Sequence, residues 1–324
     1  MKYLTSLLII FNLLAANGLE DYLADRIENI NEDLLRSYIQ PLVNAFGTGI
    51  STGLFQSAYS HDILGFDVGL RLMSIHIPEA SRYFNGIALA CSLAMDSLVY
   101  YEIPLENLST VFGPEQEIDL PISGNSIGIP TNIPTGFNIS SAPLVVPQVN
   151  IGLVFGTELA IRYVPFTFEG SRMNFVGIGI KQELTKFPLF KPIGIPFAIA
   201  IGGAYQRFNI QNRDRRAIAN TSTWNLQALV SKRIGPLEPV IGVGIENTRA
   251  YFNYVFEYDI PDTLNNIPNE LITVEQEVTF HLESQSRYRR IIGCTLHLGH
   301  LYFHYDYNFT PYSTHNVIIG FSFR

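Results

Sequence analysis

Charged residues are scarce in this chain, and several of them fall at alternate positions in short apolar runs. Asp67 and Arg71 lie within Gly65–Leu72, Glu158 and Arg162 within 157–163, and Lys181 and Glu183 at the end of 174–183. A spacing of two or four in an extended chain puts both members on the same face. Opposite charges sharing an enclosed face can line a path for ions, or they can pair and fill the space. A second group, His297, His300 and His304, is close together in sequence, with Asp306 two residues beyond His304. Across a hairpin His297 and His304 are diagonal neighbours, so two metal ligands are conceivable there. A zinc site needs three or four ligands, and Asp306 is the one further candidate, so the histidines read as ordinary lumen or interfacial residues without a metal. No P-loop or dinucleotide fingerprint stands out, and no Ser, His and acid set marks a hydrolase, so neither catalytic residue nor cofactor is expected.

The elements that carry these residues are read from periodicity. Leu23, Ile27, Ile30, Leu34 and Tyr38 make one apolar stripe, which predicts a helix over 20–40 with acids at its start and Pro41 as its stop. After it the period falls to two. Leu64, Phe66, Val68, Leu70 and Leu72 oppose Gly65, Asp67, Gly69 and Arg71, and Val176, Ile178 and Ile180 oppose Gly177, Gly179 and Lys181. Similar alternation runs through 157–163, 197–206, 224–231 and 317–323. Gly299-His300 can form a tight hairpin turn. Counted outward from it, Leu298 faces Leu301, Leu296 faces Phe303 and Cys294 faces Tyr305, so both strands agree on their apolar side.

Twelve strands follow from this pattern: 49–58, 63–77, 84–98, 144–153, 157–165, 173–186, 196–210, 220–234, 238–257, 285–298, 301–310 and 315–323. In most of them one face is large and apolar and the other is small or polar, rich in Gly and Ala. A soluble sandwich turns its second face to water and loads it with polar side chains. A membrane barrel turns the apolar face to lipid and the small, partly wet face inward. The all-β transmembrane antiparallel barrel is the fold expected over 46–324. The face assignment makes Asp67, Arg71, Glu158, Arg162, Lys181, Glu183, His297, His304 and Asp306 lumen-lining candidates. The connections 99–143 and 258–284 are long and those of the opposite mouth short, as in bacterial barrels. Aromatics at strand ends, Tyr83-Phe84, Tyr100-Tyr101, Phe166 with Phe168 and Phe187 with Phe190, suit interfacial girdles.

Composition agrees. The 324 residues are 15% charged and 47% apolar, with a net charge of −8. Soluble domains average about 25% charged residues. The acidic balance speaks against nucleic acid as a partner. Lys2, the apolar stretch Leu7–Ala16 and the small residues Ala16 and Gly18 make residues 1–18 a secretory signal peptide. Beyond it no apolar run is long enough for a helical span, which takes about 20 residues. Residues 19–45 then form an N-terminal helical segment that either plugs the barrel or lies beneath it in the periplasm. The two cysteines, Cys91 and Cys294, are too few for a disulfide framework, and their pairing is open. Arg213-Asp-Arg-Arg216 reads as a solvated outer-loop tip.

The closing stretch Asn316-Val-Ile-Ile-Gly-Phe-Ser-Phe-Arg324 resembles the last strand of an outer-membrane barrel, which the barrel-assembly machinery reads, although most such strands end on the aromatic. With Tyr38–Gly47, Gly65–Arg71 and Thr157–Tyr163 it resembles an uncharacterised, Bacteroidetes-like barrel family of Gram-negative bacteria. More loosely, a helical segment before a barrel with short hairpins is similar to the fatty-acid transporter type of barrel. The resemblance implies the outer membrane as location, with its lipid and the assembly machinery as partners, and no catalytic residues. Two functions follow as expectations. One is a passive channel or uptake barrel for small molecules, hydrophobic ones included. The other is a non-conducting scaffold whose long loops bind a partner protein or a surface polymer.

Overall fold

The structure, a computed structural model, describes residues 32–94, 97–116, 126–128, 135–168, 171–187, 196–211, 217–261 and 271–323. The signal segment, residues 19–31 and the patch 213–216 lie outside the described residues. Among the described residues one α-helix, α1 (Glu32–Ser51), precedes fourteen strands. These are β1 (Phe66–His76), β2 (Tyr83–Ala94), β3 (Ser97–Ser109), β4 (Ser126–Gly128), β5 (Ser141–Gly152), β6 (Thr157–Phe168) and β7 (Ser171–Glu183). Then come β8 (Ala198–Gln211), β9 (Ala217–Ser231), β10 (Leu237–Pro261), β11 (Leu271–Glu283), β12 (Tyr288–Leu298), β13 (Leu301–Phe309) and β14 (Thr314–Phe323).

Ten strands close an antiparallel ring in the order β10-β12-β13-β14-β1-β5-β6-β7-β8-β9, and β9 pairs back onto β10. The ring is therefore ten strands, not twelve. β11 extends the long strand β10 beyond the ring, pairing from Arg249↔Glu283 to Pro261↔Leu271. β2, β3 and β4 make a separate three-stranded sheet in the connection between β1 and β5. The predicted strand 84–98 exists, but as β2 it pairs with β3 and β4 and leaves the wall. Local alternation says that a segment is extended; it does not say which neighbour it finds. The predicted strand 49–58 is instead the end of α1 and an irregular run. Being enclosed on every side, that run needs no two-faced pattern.

The helix also differs from its expectation. α1 passes through Pro41 instead of stopping there. A mid-helix proline costs about 3 kcal/mol. Burial of Leu34, Leu35, Tyr38, Ile39, Val43, Ala45 and Ile50 against the ring and the connection 77–140 offsets it. The hairpin at Gly299-His300 has the expected register, from Leu298↔Leu301 to Gly293↔Asp306, and Gly299 takes the left-handed backbone that the turn requires (φ 66°).

The wall alternates on most of its strands, most cleanly on β1. On β1 the burial pattern is exposed at Phe66, Val68, Leu70 and Leu72 and buried at Asp67, Gly69 and Arg71. Ile178, Ile180, Leu226, Ile241, Val243 and Phe321 are all more than half exposed, on four other strands. Each would forgo about 1.5–3 kcal/mol in water. A band of large apolar side chains outside and charges inside is the arrangement of a barrel bathed in hydrocarbon. No described helix is long and apolar enough to cross a membrane.

Both ends of the ring strands are defined by pairing. β1 begins where β14 ends, Phe66 opposite Phe323, at the mouth that also carries the turns after β5, β9 and β12. The other mouth carries the connection 77–140, whose Val111, Phe112, Phe137 and Ile139 pack over α1. There Val111 N–H donates to the Tyr38 carbonyl (3.2 Å).

Candidate functional site

The chain descends the lumen from the loop mouth to the turn mouth, and the lumen charges meet it on the way. α1 ends at Ser51 with no basic residue in its last turn. The last carbonyls of a helix lack internal partners and carry partial negative charge. The barrel wall supplies what the helix lacks. Arg162 donates to the Ile50 carbonyl (2.6 Å) and the Thr52 carbonyl (2.9 Å), and through its remaining N–H groups to Gln148 Oε1 (2.7 Å) and Gln206 Oε1 (3.0 Å). Gln206 Nε2 also donates to the Ile50 carbonyl (2.8 Å), Asn225 Nδ2 to that of Ser51 (2.9 Å) and Gln148 Nε2 to that of Leu54 (2.7 Å). A cation and two amides on three strands thus cap one helix, and Gln148 on a fourth holds the turn beyond it. Higher up, Thr48 donates to Glu246 Oε1 (3.0 Å), and Arg289 pairs with the other oxygen of Glu246 (3.3 Å).

Below the cap, Asp67 and Arg71 are paired (3.5 Å) and fully buried. Asp67 accepts from Tyr302 Oη (2.9 Å), Asn150 Nδ2 (2.9 Å) and Gln56 Nε2 (3.2 Å). Glu158 pairs with Lys181 (3.0 Å), whose ammonium also donates to the carbonyls of Ser57 and Tyr59 (both 2.9 Å). His61 Nδ1 lies 2.8 Å from the second Glu158 oxygen. Glu183 accepts from the backbone N–H (2.6 Å) and hydroxyl (2.9 Å) of Ser60. Glu238 joins Ser57, Arg233 (2.8 Å) and His297 (3.1 Å).

The face rich in Gly and Ala has a matching explanation. A Cβ on Gly202 would stand 2.7 Å from Phe55, and one on Gly179 would stand 3.2 Å from it. With Ala160, Ala198, Ala200 and Ala204 these residues leave a recess for Leu54 and Phe55. The small residues make room for chain.

The histidines do not converge. His304 sits between Thr295 (2.8 Å) and Asp306 (2.8 Å), with Asn316 donating to Asp306 (2.6 Å) and Asn308 bonded to it too. His297 belongs to the Glu238 group, and His300 lies at the turn, 3.0 Å from the Ser322 carbonyl. Among the described residues no three His, Cys, Asp or Glu side chains are placed to hold a metal ion. Gly124-Asn-Ser-Ile-Gly128 spells a serine-nucleophile motif, but Ser126 opens β4, paired to β2, and not the strand-to-helix turn that such chemistry uses. Cys294 is a free thiol. His61, Gln148, Gln206, Glu238, Glu246, Arg289 and Tyr302 did not stand out in the sequence. Most are single polar residues on otherwise inward faces, and their partners are far away in the chain.

A second feature is apolar. Between α1 and the wall strands β5 to β8 lies a cavity of about 90 Å³, open on one side. Leu42, Ala45, Phe46 and Ile50 of the helix face Val146, Val164, Met173, Phe175 and Phe208 across it, with Ile75 and Phe112 closing the rest. All sixteen lining residues have apolar side chains. Phe46 and Phe208 pack ring against ring (4.8 Å) at its floor. Nothing in the lining can bind a charge or a hydrogen-bonding group through its side chain.

Fold and site together define a closed β-barrel with an apolar outer wall and a lumen occupied by its own N-terminal segment. The chain belongs to the family of unknown function DUF6588, whose sequence profile matches residues 1–323. No curated protein matches it. Among solved structures it is similar to the translocator domain of the autotransporter NalP from Neisseria meningitidis, at 9% identity and TM-score 0.31, over 86% of this chain and 93% of that one. It is also similar to the β domain of the Bordetella autotransporter BrkA, at 12% identity and TM-score 0.25, over 80% and 99% of the two chains. A third likeness is to the outer membrane channel DcaP of Acinetobacter baumannii, at 10% identity and TM-score 0.19, over 80% and 96%.

Proposed function

We propose that this protein is an outer-membrane barrel that takes up or carries small apolar molecules, and that it does not conduct ions. The observation that carries the reading is the division of the interior. Its polar half is occupied by residues 48–61, to which Arg162, Lys181, Glu183 and Glu246 are bonded. The cavity beside α1 is lined by apolar side chains alone, whereas the small polar pocket lined by Ser57, His61, Glu158, Lys181 and His297 belongs to the seat of the plug. In this reading the lumen charges hold the plug. An ion crossing this interior would have to displace those bonds, whereas a hydrocarbon entering the cavity displaces none. The outer membrane and its lipid, with delivery by the barrel-assembly machinery, belong to the same proposal.

The test uses Phe46→Trp in a Trp224→Phe background, which leaves a single indole, at the cavity. In the unaltered chain Trp224 is on the outer wall and serves as the lipid-facing control. Each refolded full chain is titrated with 1-bromododecane in detergent micelles, since bromine quenches indole only at contact. The cavity indole is expected to lose most of its emission. A cavity indole that stays bright where Trp224 of the control is quenched would refute apolar binding at this site.

A further inference from the structure

The wall beside the cavity is open along one seam. β6 pairs with β7 along its whole length, from Thr157↔Gln182 to Phe168↔Ser171, and β5 pairs with β1 from Ile151↔Phe66 to Ser141↔His76. Between them, β5 and β6 pair only from Gly152↔Glu158 to Gln148↔Arg162. Beyond Gln148 the two strands continue, each bound to its outer neighbour, but not to each other.

The sequence explains where the pairing stops. Gly152 N–H donates to Gly65, and the Ser140 carbonyl accepts from Ile77, so the even-numbered residues of β5 bond toward β1. Leu153 N–H donates to the Thr157 carbonyl, so the odd-numbered residues of β5 and β6 bond toward each other. Extending the observed register past Gln148↔Arg162 would bring together Pro147 with Tyr163, Val145 with Pro165, and Pro143 with Thr167. Each bonded pair of an antiparallel ladder exchanges two N–H donors. A proline has none, and here every one of the three pairs contains a proline. In hydrocarbon an unmet backbone N–H is expensive. Removing half of the donors that face the gap lowers the cost of leaving it open and weakens the ladder that would close it.

The apolar cavity lies behind this gap. Its lining includes Pro143 and Val145, which are on the outward face of β5, as well as Leu144 and Val146 on the inward face. Phe166 has the inward parity of Arg162 and Val164 and yet is 39% exposed. On β1 the gap starts opposite Leu70 and Leu72, in the exposed apolar band, and runs up to Ser74. Cavity and membrane band are thus one continuous apolar surface through the wall.

We propose that the β5–β6 seam is a side door through which the cavity exchanges a single hydrocarbon chain with the bilayer. This inference rests on the reading of an apolar cargo given above and adds its route. The occupant is an acyl or alkyl chain with its polar end, where it has one, left outside the cavity.

The test loads the full chain carrying the single cavity indole (Phe46→Trp with Trp224→Phe) into phosphatidylcholine vesicles with brominated acyl chains. Two closures are compared with the open seam, both with Cys91 and Cys294 changed to Ala. One is Val145→Cys with Pro165→Cys, oxidised and then reduced. The other is Pro143→Val, Pro147→Val and Pro165→Val, which restores the missing donors. The open seam is expected to let the lipid quench the cavity indole. Either closure is expected to slow or abolish that quenching, and reduction of the disulfide to restore it. Quenching that is equally fast with a closed seam would overturn the side door while leaving an apolar cargo in place. A cavity indole that stays bright both in the vesicles and with 1-bromododecane would remove the cargo reading itself. Where one closed variant does not refold, the other decides.

Discussion

Replacing Arg162 with Ala tests the claim that the lumen charges hold the plug. The guanidinium is 1% exposed and donates to four acceptors. The Ile50 carbonyl keeps Gln206 as a partner, whereas the bonds to Thr52, Gln148 Oε1 and Gln206 Oε1 go unmet. A stranded buried acceptor costs about 1–3 kcal/mol. The helix end also loses a cation worth up to about 2 kcal/mol in a buried setting. Water entering the space left by the side chain recovers part of this, so the net loss is set at about 3–5 kcal/mol, the range for breaking a buried charged group from its partners. Urea unfolding of the refolded barrel in detergent, followed by the heat-dependent gel shift, reads the total. Protease sensitivity of 48–61 reads whether the plug leaves first. Arg162→Lys is expected to fall between, because an ammonium cannot serve four acceptors in a planar fork. A loss below about 1 kcal/mol, with 48–61 still protected, would refute the reasoning, since it would place Arg162 outside the energetics of the helix end.

Other outcomes follow from the same interior. Gly202→Leu drives a side chain into Phe55, 2.7 Å from where its Cβ would stand, and is expected to cost about 1–3 kcal/mol; Phe55→Ala should relieve it in the double mutant, measured by the same unfolding assay. Glu158→Gln leaves the buried Lys181 ammonium without its carboxylate and is expected to cost about 3–5 kcal/mol; adding Lys181→Met should recover only part, because the carbonyls of Ser57 and Tyr59 then lose their donor, and single-mutant losses that simply add in the double mutant would dissolve the pair. Tyr302→Phe removes a donor to buried Asp67 and is expected to cost about 1–3 kcal/mol in the same assay.

Much of the wall was legible because its two sides meet different media. Period-two alternation follows from an apolar outer face and a packed inner one, and with the expected short turn at Phe155-Gly156 it located all ten ring strands; the hairpin at Gly299 even revealed its register. What alternation could not reveal was partnership. The strand 84–98 was visible as extended, but nothing local says that it pairs in a side sheet. Residues 49–58 were misread because a segment enclosed on all sides has no polar face to betray it. The charged lumen positions could be grouped by face, yet Asp67 meets Tyr302 across 235 residues, and only the closed ring brings them together. Small residues gave a real signal, room in the interior, whose occupant, Phe55, was hidden. Pro143, Pro147 and Pro165 were equally plain in the sequence; their meaning appears only once β5 and β6 are known to be neighbours.

The central claim, that the polar interior is a seat for the chain's own plug and not a path for ions, is tested most directly by planar-bilayer conductance of the full chain. A silent membrane after verified insertion, with current appearing only when Arg162→Ala releases the plug, is the predicted result. A steady current through the unaltered protein, with an ion preference that inverts when Glu158 is changed to Lys, would contradict it.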